Sequence, residues 1–343
     1  MMISDLSSRV ATGVMGVSRA SSHVFPGSRD AFADIVIPQL KRWSDAGDKT
    51  ALVTIVQIDG AAPRPLGAQM AVSESGASAG YISGGCLEKA LVVEAQRAIA
   101  EGRNRLVRYG EGSPYFDIRL PCGSGIELYV DQGLPRETIA DMADRVVRRE
   151  PFAWRADMAD ATSTLLPLPC APVESVSARQ GMIFTRVYQP KVRCIVIGAG
   201  PIALCTARLA VEAGLDVAFY TPEFDSAQAL VPDEVEMHDM NGTLPRLAAD
   251  PWTGVLLSFH DHDLEIPLLT QIIDAPLFFL AAVGSRRAHH QRCAVLKARG
   301  IPDAAISRIR SPAGLIKGVK SAPLLAVSML AEMLSEAQAR GYV

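Results

Sequence analysis

The chain has 343 residues, of which 49% are hydrophobic and 21% are charged. This composition is typical of a globular protein with a sizeable core, and the length favours about two domains. The formal net charge of −3 gives no global electrostatic reason to bind nucleic acid. No apolar run approaches the roughly 18 residues that a membrane span takes. We therefore expect a cytoplasmic protein with no nucleic-acid partner and no membrane contact.

The amino-terminal segment and the cysteines are consistent with this expectation. Residues 1–29 are rich in small residues and lack the continuous apolar stretch of a secretory signal, which predicts a flexible tail. The 6 cysteines show no CxxC pair and no repeated spacing, which argues against a disulfide scaffold and against a zinc module. We expect reduced thiols.

A first α/β domain is predicted over residues 30–133. Apolar residues at helical spacing come first, followed by a β-branched strand and a loop rich in glycine and proline. The predicted helices are at 32–43 and 87–101, and the predicted strands are at 51–58, 70–73, 79–83 and 126–130.

Two glycine-flanked cysteines lie at the ends of these elements. Cys86 follows Gly84 and Gly85 at a strand-to-helix junction, where the first helical amides lack acceptors and carry partial positive charge. A cysteine in this place tends toward the thiolate, the nucleophilic and metal-ligating form. The pattern fits a tight turn filled by a small residue equally well. Cys122, which precedes Gly123 and a strand, favours the structural interpretation when taken alone.

Residues 134–190 are predicted to be a helix and a proline-rich linker, because three prolines fall within 167–172. A second domain is predicted over residues 191–343. It begins with a strand, a G-x-G-x-x-A turn, a helix and another strand, which is the context of a dinucleotide fingerprint. The pattern predicts a Rossmann-like doubly wound domain with Gly198 and Gly200 as candidate cofactor-binding residues. NAD(P) binding is in doubt, because no acidic residue ends the second strand.

Polar segments follow two further predicted strands of this domain, at the sheet edge where α/β folds bind ligands. After the strand at 254–259, a polar loop that caps a helix is favoured over a metal site, with Asp261 and His262 as candidate ligand-binding residues. After the strand at 276–283, a helix start and its guanidinium groups suit a phosphate group. The candidates there are Gly284, Ser285, Arg286 and Arg287. Residues 286–320 carry a net charge of +8, and Arg292, Lys297 and Arg299 among them are expected on a solvated helix face.

Taken together, these segments resemble the XdhC/CoxI family of accessory proteins for molybdenum hydroxylases. The resemblance covers residues 32–334 in order. It rests on GAAPR at 60–64, ISGGCLE at 82–88, CG at 122–123, GAG at 198–200, HDH at 260–262, GSRR at 284–287, SPAGL at 311–315, AVS at 326–328 and AE at 331–332.

The resemblance implies a chaperone, not an enzyme, that binds the molybdenum cofactor (molybdopterin) as cargo. Such a chaperone keeps the cofactor sulfurated and inserts it into an apo-molybdenum hydroxylase of the xanthine or aldehyde dehydrogenase type. It also implies a cysteine desulfurase as the source of the terminal sulfur, and a homodimer is expected. Cys86 would contact the metal or its sulfur, Cys122 would be a second thiol nearby, and Glu88 would join the cofactor-binding residues.

The chain departs from the family's usual pattern at several positions. Tyr220 and Thr221 stand where many members carry an aspartate, and Ala203 replaces the third glycine of the turn. These changes weaken the case for NAD use first. The alternative function is an NAD(P)-dependent oxidoreductase that uses the Rossmann domain, with Cys86 as a redox or nucleophilic residue.

Overall fold

In the computed structural model, the described residues are 32–85, 87–113, 125–171, 177–240, 247–259 and 262–343, with the backbone alone at 262 and 263. The predicted tail of residues 1–29 lies outside them. In the described part of the chain, no helix combines the length and the apolarity that crossing a bilayer takes.

The first unit is built on an antiparallel sheet with helices on both faces. Its strands are β1 (Thr50–Asp59), β2 (Gln69–Ser73), β3 (Ser78–Gly80), β4 (Arg105–Gly110) and β5 (Gly125–Asp131), and its helices are α1 (Ile37–Ala46), α2 (Glu88–Glu101) and α3 (Arg136–Arg148). The strand order is β3-β2-β1-β5-β4. One face of the sheet packs against α2, and the other packs against α1 and α3. Strand β1 is buried along most of its length because both faces are covered.

A second antiparallel sheet occupies the segment that the sequence predicts as a linker. Its strands are β6 (Phe152–Asp157), β7 (Thr162–Pro167), β8 (Ala178–Gln180) and β9 (Ile183–Tyr188), in the order β7-β6-β9-β8. Buried Trp154 and Phe184 share a core with α1, so this sheet packs onto the first unit. The structure differs from the prediction because β7 is an edge strand, and an edge tolerates the proline that a central strand excludes.

The second unit is a parallel sheet covered on both faces. Its elements are β10 (Arg193–Gly198), α4 (Gly200–Glu212), β11 (Asp216–Thr221), α5 (Phe224–Gln228), β12 (Glu236–Asp239), β13 (Thr253–Ser258), α6 (His262–Ile272), β14 (Phe279–Ala282), α7 (Arg286–Ala298), α8 (Asp303–Ile306), β15 (Ile309–Arg310) and α9 (Ala322–Ala339). The order β12-β11-β10-β13-β14-β15 reverses between β10 and β13. This is the doubly wound Rossmann order, and it confirms the predicted α/β fold.

Arg149 ties the two units together. Its guanidinium donates to Asp250 at 2.5 and 3.2 Å, to Asp216 at 2.9 Å, and to the Lys191 carbonyl at 2.9 Å. Arg149 directly follows α3 and has a φ of +57°, a backbone conformation that is uncommon for residues other than glycine. Its side chain is only 11% exposed, so these charge-assisted bonds are partly shielded from water.

Candidate functional site

The glycine turn that leads into Cys86 is held from within by one carboxylate. Glu88 begins α2, and its Oε1 accepts the backbone N–H groups of Ile82, Ser83 and Gly84 at 3.0, 2.7 and 3.1 Å. Its Oε2 accepts the Gly85 N–H at 2.7 Å and the Ser83 hydroxyl at 2.9 Å. The backbone amides of the turn before α2 are therefore already satisfied by the chain itself.

The electrostatics agree with this geometry. Burial alone would raise the pKa of Glu88, but the hydrogen bonds from the backbone of Ser83 and Ile82 outweigh it and lower the pKa below its ordinary value of 4.5. The side chain is buried and charged, as a carboxylate surrounded by donors should be. Glu88 thus orders residues 82–85, and its cofactor contact stays a prediction.

Cys86 and Cys122 both lie outside the described residues, but the strands that flank them are placed. Gly80 ends β3 and pairs with the start of β2, while Gly110 ends β4 and pairs with Gly125 at the start of β5. The antiparallel order points these strand ends the same way, but not to the same level. Gly80 is level with Val53 and Val130, whereas Gly110 and Gly125 are level with Asp59, five residues further along β5.

The dinucleotide-type turn lies at the point where the strand order of the second unit reverses. A Cβ on Gly198 would come within 2.2 Å of the Ser258 carbonyl oxygen, so the close approach of β10 and β13 requires glycine. Gly200 has φ of +76°, and its N–H donates to the Glu223 carboxylate at 2.8 Å. An internal carboxylate therefore occupies a turn amide that a bound pyrophosphate would use.

The second predicted anion site, at the start of α7, is partly exposed to solvent. The Ser285 hydroxyl accepts the Ala288 N–H at 3.1 Å and caps the helix. Gly284 precedes this cap, and Arg286 and Arg287 are exposed. Asp261 lies outside the described residues, and His262 begins α6 with its side chain also outside them. These contacts leave the two arginines as the groups able to reach a ligand here.

Arg292 is not on the solvated helix face that the sequence predicts. It is fully buried, and its guanidinium donates to Glu265 on α6 at 2.8 Å, to the Val283 carbonyl at 2.9 Å and to the Ser311 hydroxyl at 3.1 Å. The partner Glu265 is also fully buried. This pair connects α6 and α7 with Val283, which precedes the GSRR motif, and with Ser311, which begins the SPAGL motif. The sequence carries no local signal for it, because the two charges are 27 residues apart.

The four described thiols lie on separate parts of the fold. Cys170, Cys194, Cys205 and Cys293 are free. Burial raises the pKa of the Cys194 thiol to about 12, so that thiol is inert at neutral pH. Among the residues that the structure describes, no three side chains of histidine, cysteine, aspartate or glutamate are grouped to hold a metal ion.

Comparison with known proteins identifies both units. Residues 43–110 match the XdhC and CoxI family, and residues 194–333 match the XdhC Rossmann domain. The chain is 36% identical over 290 residues to the molybdenum cofactor insertion chaperone PaoD of Escherichia coli K12, covering 84% of each protein. It is 22% identical over 324 residues to a probable xanthine dehydrogenase subunit from Bacillus subtilis 168, covering 84% of this chain and 93% of that protein.

The fold also matches a solved structure. A crystal structure described as a xanthine dehydrogenase from Bacillus halodurans superimposes with a TM-score of 0.70 at 20% identity. The match covers 89% of this chain and 96% of that one, which supports the same arrangement of both units. The two family matches follow one another along the chain in the order that the structure shows. The protein belongs to the XdhC and CoxI family.

Proposed function

We propose that this protein is a chaperone that binds the molybdenum cofactor and inserts it into a molybdenum hydroxylase of the xanthine dehydrogenase type. The observation that carries the proposal is the similarity to PaoD, which spans both units at 36% identity. The turn held by Glu88 supports the proposal, because residues 82–85, which lead into Cys86 along the chain, are fixed by hydrogen bonds to its carboxylate. Thiolates are soft ligands that suit a metal or sulfur centre.

In this proposal, each group has a role matched to its chemistry. Cys86 contacts the metal or its terminal sulfur, and Cys122 supplies a second thiol. Arg286 and Arg287 attract the phosphate of the pterin at the carboxyl edge of the Rossmann sheet. The protein acts in the cytoplasm as a homodimer, keeps the cargo sulfurated with sulfur from a cysteine desulfurase, and releases it to the apo-hydroxylase.

The alternative, an NAD(P)-dependent oxidoreductase, is disfavoured by the Rossmann turn itself. The Glu223 carboxylate bonds to Gly200, so a dinucleotide would have to displace a negative charge from the place where its own phosphates bind. The second strand ends in Thr221, which offers no carboxylate for the ribose hydroxyls.

Cofactor retention and transfer test the proposal. The full chain and its Cys86→Ala and Cys122→Ala variants are loaded with molybdenum cofactor, retained pterin is measured by fluorescence, and transfer is measured as activation of an apo-hydroxylase. Cys170→Ala is the matched control, because Cys170 is an exposed free thiol. We expect at least a tenfold loss of affinity in Cys86→Ala and none in the control.

Two results would count against the proposal. Undiminished binding and delivery in both cysteine variants would remove the thiols from the mechanism. Tight NADH binding with turnover would favour the oxidoreductase instead.

A further inference from the structure

A cleft of about 1860 Å³ separates the first unit from the amino ends of the Rossmann strands. One wall carries Asp34, Arg64 and Arg186, and the opposite wall includes the residues around Asp216 at the start of β11. The glycine turn of the Rossmann unit is at the other end of the same strands. The cleft is therefore separate from both predicted anion sites of that unit.

Two guanidinium groups stand side by side on the first wall. Arg186 is 9% exposed, and it donates to the main-chain carbonyls of Gly67 and Asp34 and stacks over Tyr188 at 4.5 Å. Arg64 is 4.3 Å from the centre of the Tyr81 ring and donates to its hydroxyl at 3.0 Å.

The positive charge of the two arginines exceeds the negative charge of the carboxylate paired with them on this wall. Burial lowers the pKa of Arg186 and the charge of Arg64 lowers it further, while Tyr188 and Asp34 oppose this in part. Within the described residues, Asp34 is the carboxylate that pairs with Arg64, and its side chain is 74% exposed and thus screened by water. The Nε of Arg64 is buried without an acceptor. A buried donor and a second buried cation are both stabilised by a further anion.

We propose that Arg64 and Arg186 form a binding site for a phosphate group on this wall of the cleft. Guanidinium forks match the geometry of phosphate oxygens, and two of them together favour a multiply charged anion over a single carboxylate. Binding here would also affect the turn before Cys86, because Arg64 donates a hydrogen bond to Tyr81. Tyr81 leads into the turn that is bonded by Glu88. The same chemistry is offered by the phosphate of a pterin cargo and by a separate phosphate compound.

Calorimetric titration of the full chain with inorganic pyrophosphate tests the site. We expect saturable binding that weakens about tenfold in Arg64→Gln, because one charge-assisted contact is lost. The loss should be smaller in Arg64→Lys, which keeps the positive charge but not the two-pronged guanidinium geometry. Asp34→Asn is expected to tighten binding severalfold, because it removes the competing carboxylate. The matched control is Arg103→Gln, whose side chain is 75% exposed. This control is expected to stay within twofold. Arg286→Gln reports separately on pyrophosphate bound at the Rossmann edge.

The opposite outcomes overturn the site. These are the absence of saturable binding, an unchanged affinity in Arg64→Gln, an equal loss in Arg103→Gln, or a loss confined to Arg286→Gln. Near-ultraviolet circular dichroism checks that each variant is folded. If Arg64→Gln does not fold, Asp34→Asn decides the matter alone, since tighter binding supports the site and unchanged binding refutes it.

Competition then identifies the source of the phosphate. If saturating pyrophosphate weakens molybdenum cofactor binding, the cleft takes the phosphate of the cargo. If cofactor affinity is unchanged while pyrophosphate still binds through Arg64, the natural ligand is a separate phosphate compound. Both results support the site. A complete lack of cofactor binding would refute the proposed function while leaving the pyrophosphate result to stand by itself.

Discussion

Replacing Glu88 by glutamine tests whether this carboxylate orders the cysteine turn. The carboxylate accepts four backbone N–H groups and one hydroxyl. Glutamine has the same size but only one accepting oxygen, so its amide nitrogen must face either the Gly85 N–H or the three donors on the other side. At least one buried donor is left without an acceptor, and the remaining bonds lose their charge assistance.

The magnitude follows from the number and kind of bonds. A hydrogen bond to a charged group contributes about 1.5 to 3 kcal/mol, and a neutral one contributes about 1 kcal/mol. One lost charged bond and several weakened ones, offset by easier burial of a neutral amide, give a destabilisation of about 3 kcal/mol for Glu88→Gln. The matched control, Glu137→Gln, changes an exposed carboxylate on α3 and is expected to stay within about 0.5 kcal/mol.

The effect has a defined dependence on pH. The pKa of Glu88 in the folded chain is below its ordinary value of 4.5, so the stabilisation is present above that value and is lost as the pH falls through the lower, folded-state pKa. The difference between wild type and Glu88→Gln is therefore full at pH 7 and shrinks as the pH falls below 4.5. Urea unfolding at several pH values measures the difference, and hydrogen exchange at residues 82–85 reports the local opening of the turn.

The reasoning would be refuted by a destabilisation below about 1 kcal/mol at pH 7, or by a difference that does not shrink in acid. Slow exchange of the Gly84 and Gly85 amides in Glu88→Gln would also contradict it.

Three further outcomes are expected. Glu223→Ala frees the Gly200 amide, so the affinity for NADH should rise in a fluorescence titration; unchanged affinity would mean that the carboxylate does not compete. Arg149→Ala removes the bonds between the two units and should lower the free energy of unfolding in urea by about 2 to 3 kcal/mol, whereas Arg149→Gly should lose less, because glycine favours positive φ. Arg292→Met leaves Glu265 buried without its cationic partner and should destabilise by about 3 to 5 kcal/mol; Arg292→Met combined with Glu265→Leu should recover much of that loss, and an additive double variant would contradict the pairing.

Local pattern was enough for many of the elements. Helix α2 and strands β1, β2 and β5 fall close to the predicted ranges, because their periodicity and end signals lie within a few residues of each other. The second sheet was missed because its strands are short and most carry charges, and β7 ends in a proline. The pairing of β6 with β9, which joins its two hairpins, connects residues that are distant in the sequence.

Individual residues show where local reasoning stops. Glu88 could have been placed as a turn acceptor, since a glutamate in the first turn of a helix commonly reaches back to the preceding amides. Arg186 also left a signal in the sequence, because it shares one face of β9 with buried Phe184 and Tyr188 and so faces inward. Arg292 left none, since its position on α7 looks like that of any exposed arginine until α6 packs against it.

The sequence by itself determined the glycine-flanked thiol at a helix start, the strand-turn-helix of the Rossmann unit, and the ordered motifs that mark the family. These features depend on neighbours along the chain, where backbone geometry and hydrogen bonding are set locally. Only the tertiary structure decided what the turns and charges do. Glu223 meets Gly200 from 23 residues away, and Arg186 meets the Asp34 carbonyl from 152 residues away. Contacts of this kind depend on how strands and helices pack, because packing decides which distant charges are brought together and which of them water can still reach.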